Sequence, residues 1–310
     1  MTTVTPTPLI TASLGELAAA RAEHASSTAI AIGTFDGVHL GHQRVLEHVV
    51  QTSRQDNLDA VIVTFDPSPK VLFLEQKYLT SRHEKLQRLA GYGFKAVVVI
   101  PFTKDYAQTN KQVFVDELAQ LDPAHIIVGE DFRFGHQRKG TLEDLSHITG
   151  HLEVIGIQHL EDEPIKSSYI RRLLEAGDVA AARKFLGYSY QATGIVTEGD
   201  KRGRTIGYPT ANLNLPPEKA LPQGVFSVRV RVPQGMFTGM ANVGTRPSFE
   251  TNPPSLEAHL FDFDDDLYGS EMTVSFEYYL RGQKAFGGID ELKIQLAMDA
   301  EAAKRSLMND

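Results

Sequence analysis

Ala29-Ile30-Ala31-Ile32-Gly33-Thr34-Phe35-Asp36-Gly37-Val38-His39-Leu40-Gly41-His42 passes from an apolar run through a glycine-punctuated turn into a segment of helical spacing. A short apolar run bounded by glycine reads as a buried strand. Working outward, further apolar runs at 60–65, 95–100, 125–128 and 152–157 join the first at 29–35, with helix-like stretches at 43–55, 82–91 and 111–121 between them. Strand and helix in alternation predict an α/β doubly wound parallel sheet. In such sheets ligands gather outside the carboxyl ends of the strands, which directs attention to the loops after residues 35, 65 and 128.

Two more helical stretches, 168–175 and 179–186, precede a change of pattern at 187–190, where the domain boundary is expected: residues 1–187, then residues 188–310. Beyond it, alternating runs at 190–196, 225–232, 237–241, 256–261 and 272–279 are broken by Gly and Pro turns, the spacing of a small antiparallel β-barrel. The last stretch, 289–306, sets Ile289, Leu292, Leu296 and Met298 among charges and predicts a C-terminal helix packed on the barrel. There is no internal repeat.

Composition narrows the chemistry. A chain of 310 residues suits two cores, since a single core stops growing near roughly 250 residues. The absence of cysteine excludes disulfides, thiolate zinc sites and cysteine nucleophiles. No stretch approaches the ~20 apolar residues of a membrane span. Residues 1–8 lack the basic start and apolar run of a secretory signal, so a cytoplasmic enzyme is expected. A net charge of -8 argues against a broad nucleic-acid surface and leaves small anionic ligands open. The Phe and Tyr residues of the second half alternate as core residues do, without the basic stripe of a single-strand platform.

The quoted loop has the makings of a phosphate cradle. Gly37 and Gly41 let backbone approach a polyphosphate, and the helix start offers free N–H donors and a positive dipole. His39 and His42 add donors three residues apart. This suits attack by a phosphate oxygen on the α-phosphate of ATP with loss of pyrophosphate, where catalysis rests on alignment and charge neutralisation. An isolated H-x-G-H pair reads equally well as a turn filled by histidines. A second basic element, Lys166-Ser167-Ser168-Tyr169-Ile170-Arg171, opens a helix with Ser168 as its expected N-cap, and Arg171 in a first turn fits a nearby anion. Alone, it reads as a surface arginine.

With these residues the chain resembles the HxGH nucleotidylyltransferases and, more closely, the bacterial bifunctional riboflavin kinase/FMN adenylyltransferases. The likeness extends to Phe65-Asp66-Pro67-Ser68-Pro69 and Gly129-Glu130-Asp131-Phe132-Arg133-Phe134-Gly135, which look like that family's flavin-side loops. The resemblance implies ATP binding by Gly33, Phe35, Asp36, Gly37, Gly41 and Ser168, and catalysis by His39, His42 and Arg171. It implies flavin contact by Asp66, Asp131 and Phe134. Ser168 replaces the commoner Thr, and Lys166 stands where the family usually has Ser.

The second half opens with Gly199-Asp200-Lys201-Arg202-Gly203-Arg204-Thr205-Ile206-Gly207-Tyr208-Pro209-Thr210-Ala211-Asn212. Asp200 and the lack of Ser or Thr after the lysine rule out a P-loop. A Gly-rich flap over ATP, using Gly203, Arg204 and Gly207, fits better. Thr210 and Asn212, two apart on an extended segment, offer oxygen ligands to Mg²⁺ from one face. Transfer of a γ-phosphate to an alcohol needs a base, and Glu257 in Leu256-Glu257-Ala258-His259-Leu260 is the candidate. Read without relatives, an exposed strand carboxylate is the commoner case.

The resemblance assigns Glu257 the catalytic role and places Arg281 near the flavin. Asn242-Val243-Gly244-Thr245-Arg246-Pro247-Ser248-Phe249 and Asp266-Leu267-Tyr268-Gly269 carry it further, while Gln283, Ala285 and Gly288 depart from the usual Glu, Lys and Ser. It implies riboflavin, FMN and ATP as substrates, with FAD, ADP and pyrophosphate as products. The loop alone leaves another phosphate acceptor, such as phosphopantetheine, open, and the barrel also reads as a non-catalytic flavin sensor. The acidic turn 262–266 lacks EF-hand spacing and is assigned no metal.

Overall fold

The computed structural model describes residues 7–22, 26–199, 202–244 and 255–308. Asp200, Lys201, His24 and the motif residues 245–249 lie outside these. The chain divides into two compact units, Met1–Lys166 and Ser167–Asp310.

The first unit runs β1 (Leu9–Thr11), α1 (Leu14–Arg21), β2 (Thr28–Ile32), α2 (Leu40–Gln55), β3 (Asp59–Asp66), α3 (Pro69–Leu74), α4 (Arg82–Ala90), β4 (Ala96–Pro101), α5 (Lys111–Ala119), β5 (Pro123–Gly129), α6 (Leu142–Ser146) and β6 (His151–Ile155), ending in a short ribbon of β7 (His159–Leu160) and β8 (Glu163–Pro164). Six strands pair in parallel in the order β1-β4-β3-β2-β5-β6. The central strands are buried on both faces, which is why they read as unbroken apolar runs. Ile30, Ile32, Val61, Val63 and Val98 fill one face, and Ala29, Ala31, Ile62, Val97 and Val99 the other, under Val45, Leu46 and Val49 of α2.

The strand order turns back at β2, whose neighbours are β3 and β5. The three loops singled out in the sequence therefore follow three adjacent strands, at the topological switch point where doubly wound sheets bind ligands. The first apolar run is shorter as a strand than its sequence suggests. β2 stops at Ile32, because Phe35 and Val38 take positive φ of 47° and 35° and turn the chain sharply before α2.

The second unit holds α7 (Ser167–Glu175), α8 (Val179–Leu186), β9 (Gln191–Thr197), a single turn α9 (Arg202–Thr205), β10 (Ala211–Asn214), β11 (Gly224–Val232), β12 (Gly235–Gly244), β13 (Ser255–Leu260), β14 (Glu271–Arg281) and α10 (Ile289–Met308). Six strands close into an antiparallel barrel in the order β10-β13-β12-β11-β14-β9. Phe226, Val228, Val230, Val243, Leu256, Ala258, Val274 and Phe276 are all buried.

Two expectations need correction. Ser168 is the second residue of α7 rather than its N-cap. On α10, Ile289 and Met298 are exposed at 63% and 60%, and the buried residues are Asp299, Ala300, Ala303 and Leu307. The helix is turned so that Asp299 meets Arg281, and small alanines allow close approach to Met240 and Phe261.

Candidate functional sites

At the amino end of α2, His39 is the N-cap, and its Nδ1 accepts the backbone N–H of His42 at 3.3 Å. That bond leaves the proton of neutral His39 on Nε2, at the helix start. The two imidazoles stack at 3.6 Å between centroids and 14° between planes, with the edge of Phe35 against His42. Nδ1 of His42 is enclosed without a hydrogen-bond partner among the described residues. Burial, then the neighbouring His39 and Lys85, hold the His42 pKa well below the ordinary histidine value.

The turn itself is tied down. Asp36 accepts from the backbone N–H groups of Leu79 and Thr80 at 2.8 and 3.2 Å, and Gly37 N–H donates to Thr80 Oγ1 at 3.0 Å. Gly37 has φ +83°, and a Cβ there would stand 2.6 Å from Leu79. Only glycine serves both needs. Asp36 thus anchors the turn, and the predicted binding residues Phe35 and Asp36 are both buried.

Of the flavin-side candidates, Asp66 ends β3 half-buried and Asp131 is exposed just after β5. Phe134 is buried, with its ring against Phe114 and Phe132, and Gly140 is pressed onto it so that a Cβ would lie 2.5 Å away. It belongs to the core beneath half-buried Phe132. On α7, Arg171 is buried and Ser168 lies in the first turn.

In the barrel, strand register assembles a polar row. β13 sends Leu256, Ala258 and Leu260 inward and leaves Glu257 and His259 half-buried on the other face. Glu257 pairs with Asn212 across β10 and with Asn242 across β12. A carboxylate therefore sits between two amides on the outer wall, with Thr210 two residues before Asn212. Backbone at Gly199 crosses Asn212 so closely that a Cβ would fall 2.3 Å from its amide nitrogen. Gly203 lies in α9, and Arg204 and Gly207 are exposed on the same flap. Asn242, not singled out as a site residue from sequence, accepts from Gln283 Nε2 at 2.8 Å, and Val243 O accepts from the same nitrogen at 2.9 Å. A Glu at 283 has no proton to donate there when ionised, so this departure has a structural use.

Arg281 is held by Asp299 through Nε at 2.9 Å and Nη2 at 2.7 Å, and donates from Nη1 to Gly282 O at 2.9 Å. Asp299 is buried and also accepts from Gln295. Asp299→Ala strands the guanidinium and is expected to destabilise the barrel by about 3 kcal/mol, measured by urea unfolding. Among the described residues, no group of three or more His, Asp or Glu is placed to hold a metal.

A helix-capping histidine stack at the switch point of a doubly wound sheet is followed in one chain by a closed barrel presenting a carboxylate between amides, and both domains match transferase families. Residues 21–169 match the family model for FAD synthetase, and residues 186–307 match that for riboflavin kinase. A bifunctional riboflavin kinase/FMN adenylyltransferase of Listeria monocytogenes is 35% identical, the alignment covering 88% of this chain and 90% of that protein. One from Bacillus subtilis is 34% identical over 93% and 95% respectively. The chain belongs to the bifunctional riboflavin kinase/FMN adenylyltransferase family. A crystal structure named as a macrolide-efflux protein from Streptococcus pneumoniae is also similar, with TM-score 0.82 and 28% identity, covering 96% of this chain and 99% of that one. No helix among the described residues is long and apolar enough to cross a membrane.

Proposed function

We propose that the barrel transfers the γ-phosphate of ATP to riboflavin, giving FMN and ADP, and that the N-terminal domain transfers AMP from a second ATP to FMN, giving FAD and pyrophosphate. The observation that carries this reading is the Asn212–Glu257–Asn242 row, a base candidate fixed by strand register beside oxygen donors. Glu257 takes the proton from the terminal hydroxyl of the ribityl chain as the phosphorus–oxygen bond forms. Thr210 and Asn212 supply a hydroxyl and an amide oxygen, a donor set suited to Mg²⁺, which neutralises phosphate charge when bound. The flap bearing Gly203, Arg204 and Gly207 covers the nucleotide.

In the first domain the nucleophile is the FMN phosphate, already an anion, so no protein base is needed. His39 offers its Nε2–H, and the α2 amino terminus and the Gly33–Gly41 turn cradle the ATP phosphates. The enclosed Nδ1 of His42 gains a partner when the site fills. Asp66 and Asp131 serve as flavin contacts there, with Phe134 acting from the core beneath Phe132. Ser168 and Arg171 of α7 are phosphate contacts, and in the barrel Arg281 is the flavin contact. The functional division is taken at residues 1–187 and 188–310. A cysteine-free chain that consumes ATP suits the cytoplasm. Chromatography of products from riboflavin, ATP and Mg²⁺, with a parallel reaction started from FMN, tests the whole scheme: FAD is expected from both. FAD from FMN alone would reduce the barrel to a sensor, and no flavin product from either would refute the flavin assignment.

Because folded His42 resists protonation and unfolded His42 does not, the unfolded chain takes up the proton first. Stability of the first unit therefore falls as pH drops below about 6.5 toward the depressed folded value, by at most about 1.4 kcal/mol per pH unit. Urea midpoints followed from neutral to mildly acid pH should show this slope, reduced in His42→Gln.

A further inference from the structure

Lys85 of α4 is 4% exposed, and all three oxygens that its ammonium meets are uncharged. Nζ donates to Phe65 O at 2.9 Å, Thr34 O at 3.3 Å and Thr64 Oγ1 at 3.4 Å, and the Thr64 hydroxyl in turn donates to Thr34 O at 3.2 Å. Thr34 lies in the turn that leads to His39 and His42. Phe65 immediately precedes Asp66 at the end of β3. One buried side chain thus joins the two loops on which the phosphate cradle and the first flavin-side carboxylate are mounted.

A buried ammonium that forms no ion pair among the described residues is a poor way to stabilise a fold, since desolvation opposes it and an apolar residue of similar volume packs as well. Burial lowers the pKa of Lys85, and only the more distant carboxylates of Asp66 and Asp36 favour its charge. Its position has a use if the site above it receives anions. The charge also lies near enough to His42 to help keep that ring neutral until phosphates arrive.

We propose that Lys85 is a positioning residue for adenylyl transfer, clamping the carbonyls of Thr34 and Phe65 so that the histidine turn and the loop after β3 face the same pair of phosphates. This rests on the adenylyl-transfer reading above. Small errors of alignment between reacting groups are costly in rate, of the order of 10²-fold for about 1 Å.

The test compares FAD formation from FMN, ATP and Mg²⁺ by the unaltered full-length chain, Lys85→Met and Lys85→Gln, with kcat and KM separated. Lys85→Met keeps the volume and loses the donors, and is expected to lower kcat by about 10²-fold with a smaller change in KM for ATP. Lys85→Gln keeps an N–H donor for the two carbonyls and is expected to recover most of that loss. An unchanged kcat in Lys85→Met, or equal loss in both variants, overturns the proposal. Should Lys85→Met fail to fold, Thr64→Val decides: it withdraws one acceptor without adding bulk or charge, a several-fold fall in kcat is expected, and an unchanged rate overturns the proposal. If the unaltered chain makes no FAD, it is the adenylyl-transfer reading that fails.

Discussion

Glu257→Gln is expected to lower FMN formation from riboflavin and ATP by about 10²–10⁴-fold, the usual contribution of a positioned base, while supplied FMN is still converted to FAD. The substitution keeps size and polarity between Asn212 and Asn242, the cross-strand neighbours in register. What is lost is the acceptor for the hydroxyl proton. The barrel wall at Leu256 and Ala258 is untouched, so unfolding midpoints should not move. Coupled chromatography of both reactions on one preparation separates loss of the base from loss of the fold. A variant that phosphorylates riboflavin normally would remove Glu257 from the mechanism.

His42→Ala is expected to have the complementary effect: FMN accumulates and FAD formation falls by about 10²–10³-fold, the cost of removing one preorganised donor. Three consequences follow from one ring. The stack with His39 is lost, so the N-cap side chain loses its 3.6 Å neighbour. The Phe35 edge loses its partner. The proposed phosphate site loses a group whose enclosed Nδ1 has no partner among the described residues. His42→Asn, which restores a short polar side chain without the imidazole, should recover less than a tenth of the wild-type rate if ring geometry matters, roughly the loss expected from displaced donors. Pyrophosphate release from FMN and ATP is the direct measurement.

Much of the first domain was legible because buried parallel strands announce themselves as continuous apolar runs, and the helices between them carry apolar residues at helical spacing. β1 was missed, being three residues at the sheet edge, and so was α1 behind it. β10 was not singled out as a strand because Ala211-Asn212-Leu213-Asn214 is polar and short, yet it carries a proposed metal ligand. The His39–His42 pair was readable from spacing, and the stack and the enclosed nitrogen were not. Lys85 carries no sequence signal at all: in a helix of charged residues it reads as solvated, and only the closeness of two strand ends buries it. On α10, apolar spacing pointed to Ile289 and Met298, but the ion pair of buried Asp299 with half-buried Arg281 accompanies a different helix rotation.

The row that places Glu257 depends on parity. β13 is bonded to β10 on one side and β12 on the other, within a barrel that has no free edge. A single-residue insertion or deletion in this strand would bring Leu256 or Ala258 to the outer wall and send Glu257 into the interior, and both neighbours would resist the slip. Changes of chain length here are therefore far more damaging than changes of residue type. Over evolutionary time β13 should diverge in its inward side chains while its residue count stays fixed, with length variation confined to the connections at either end.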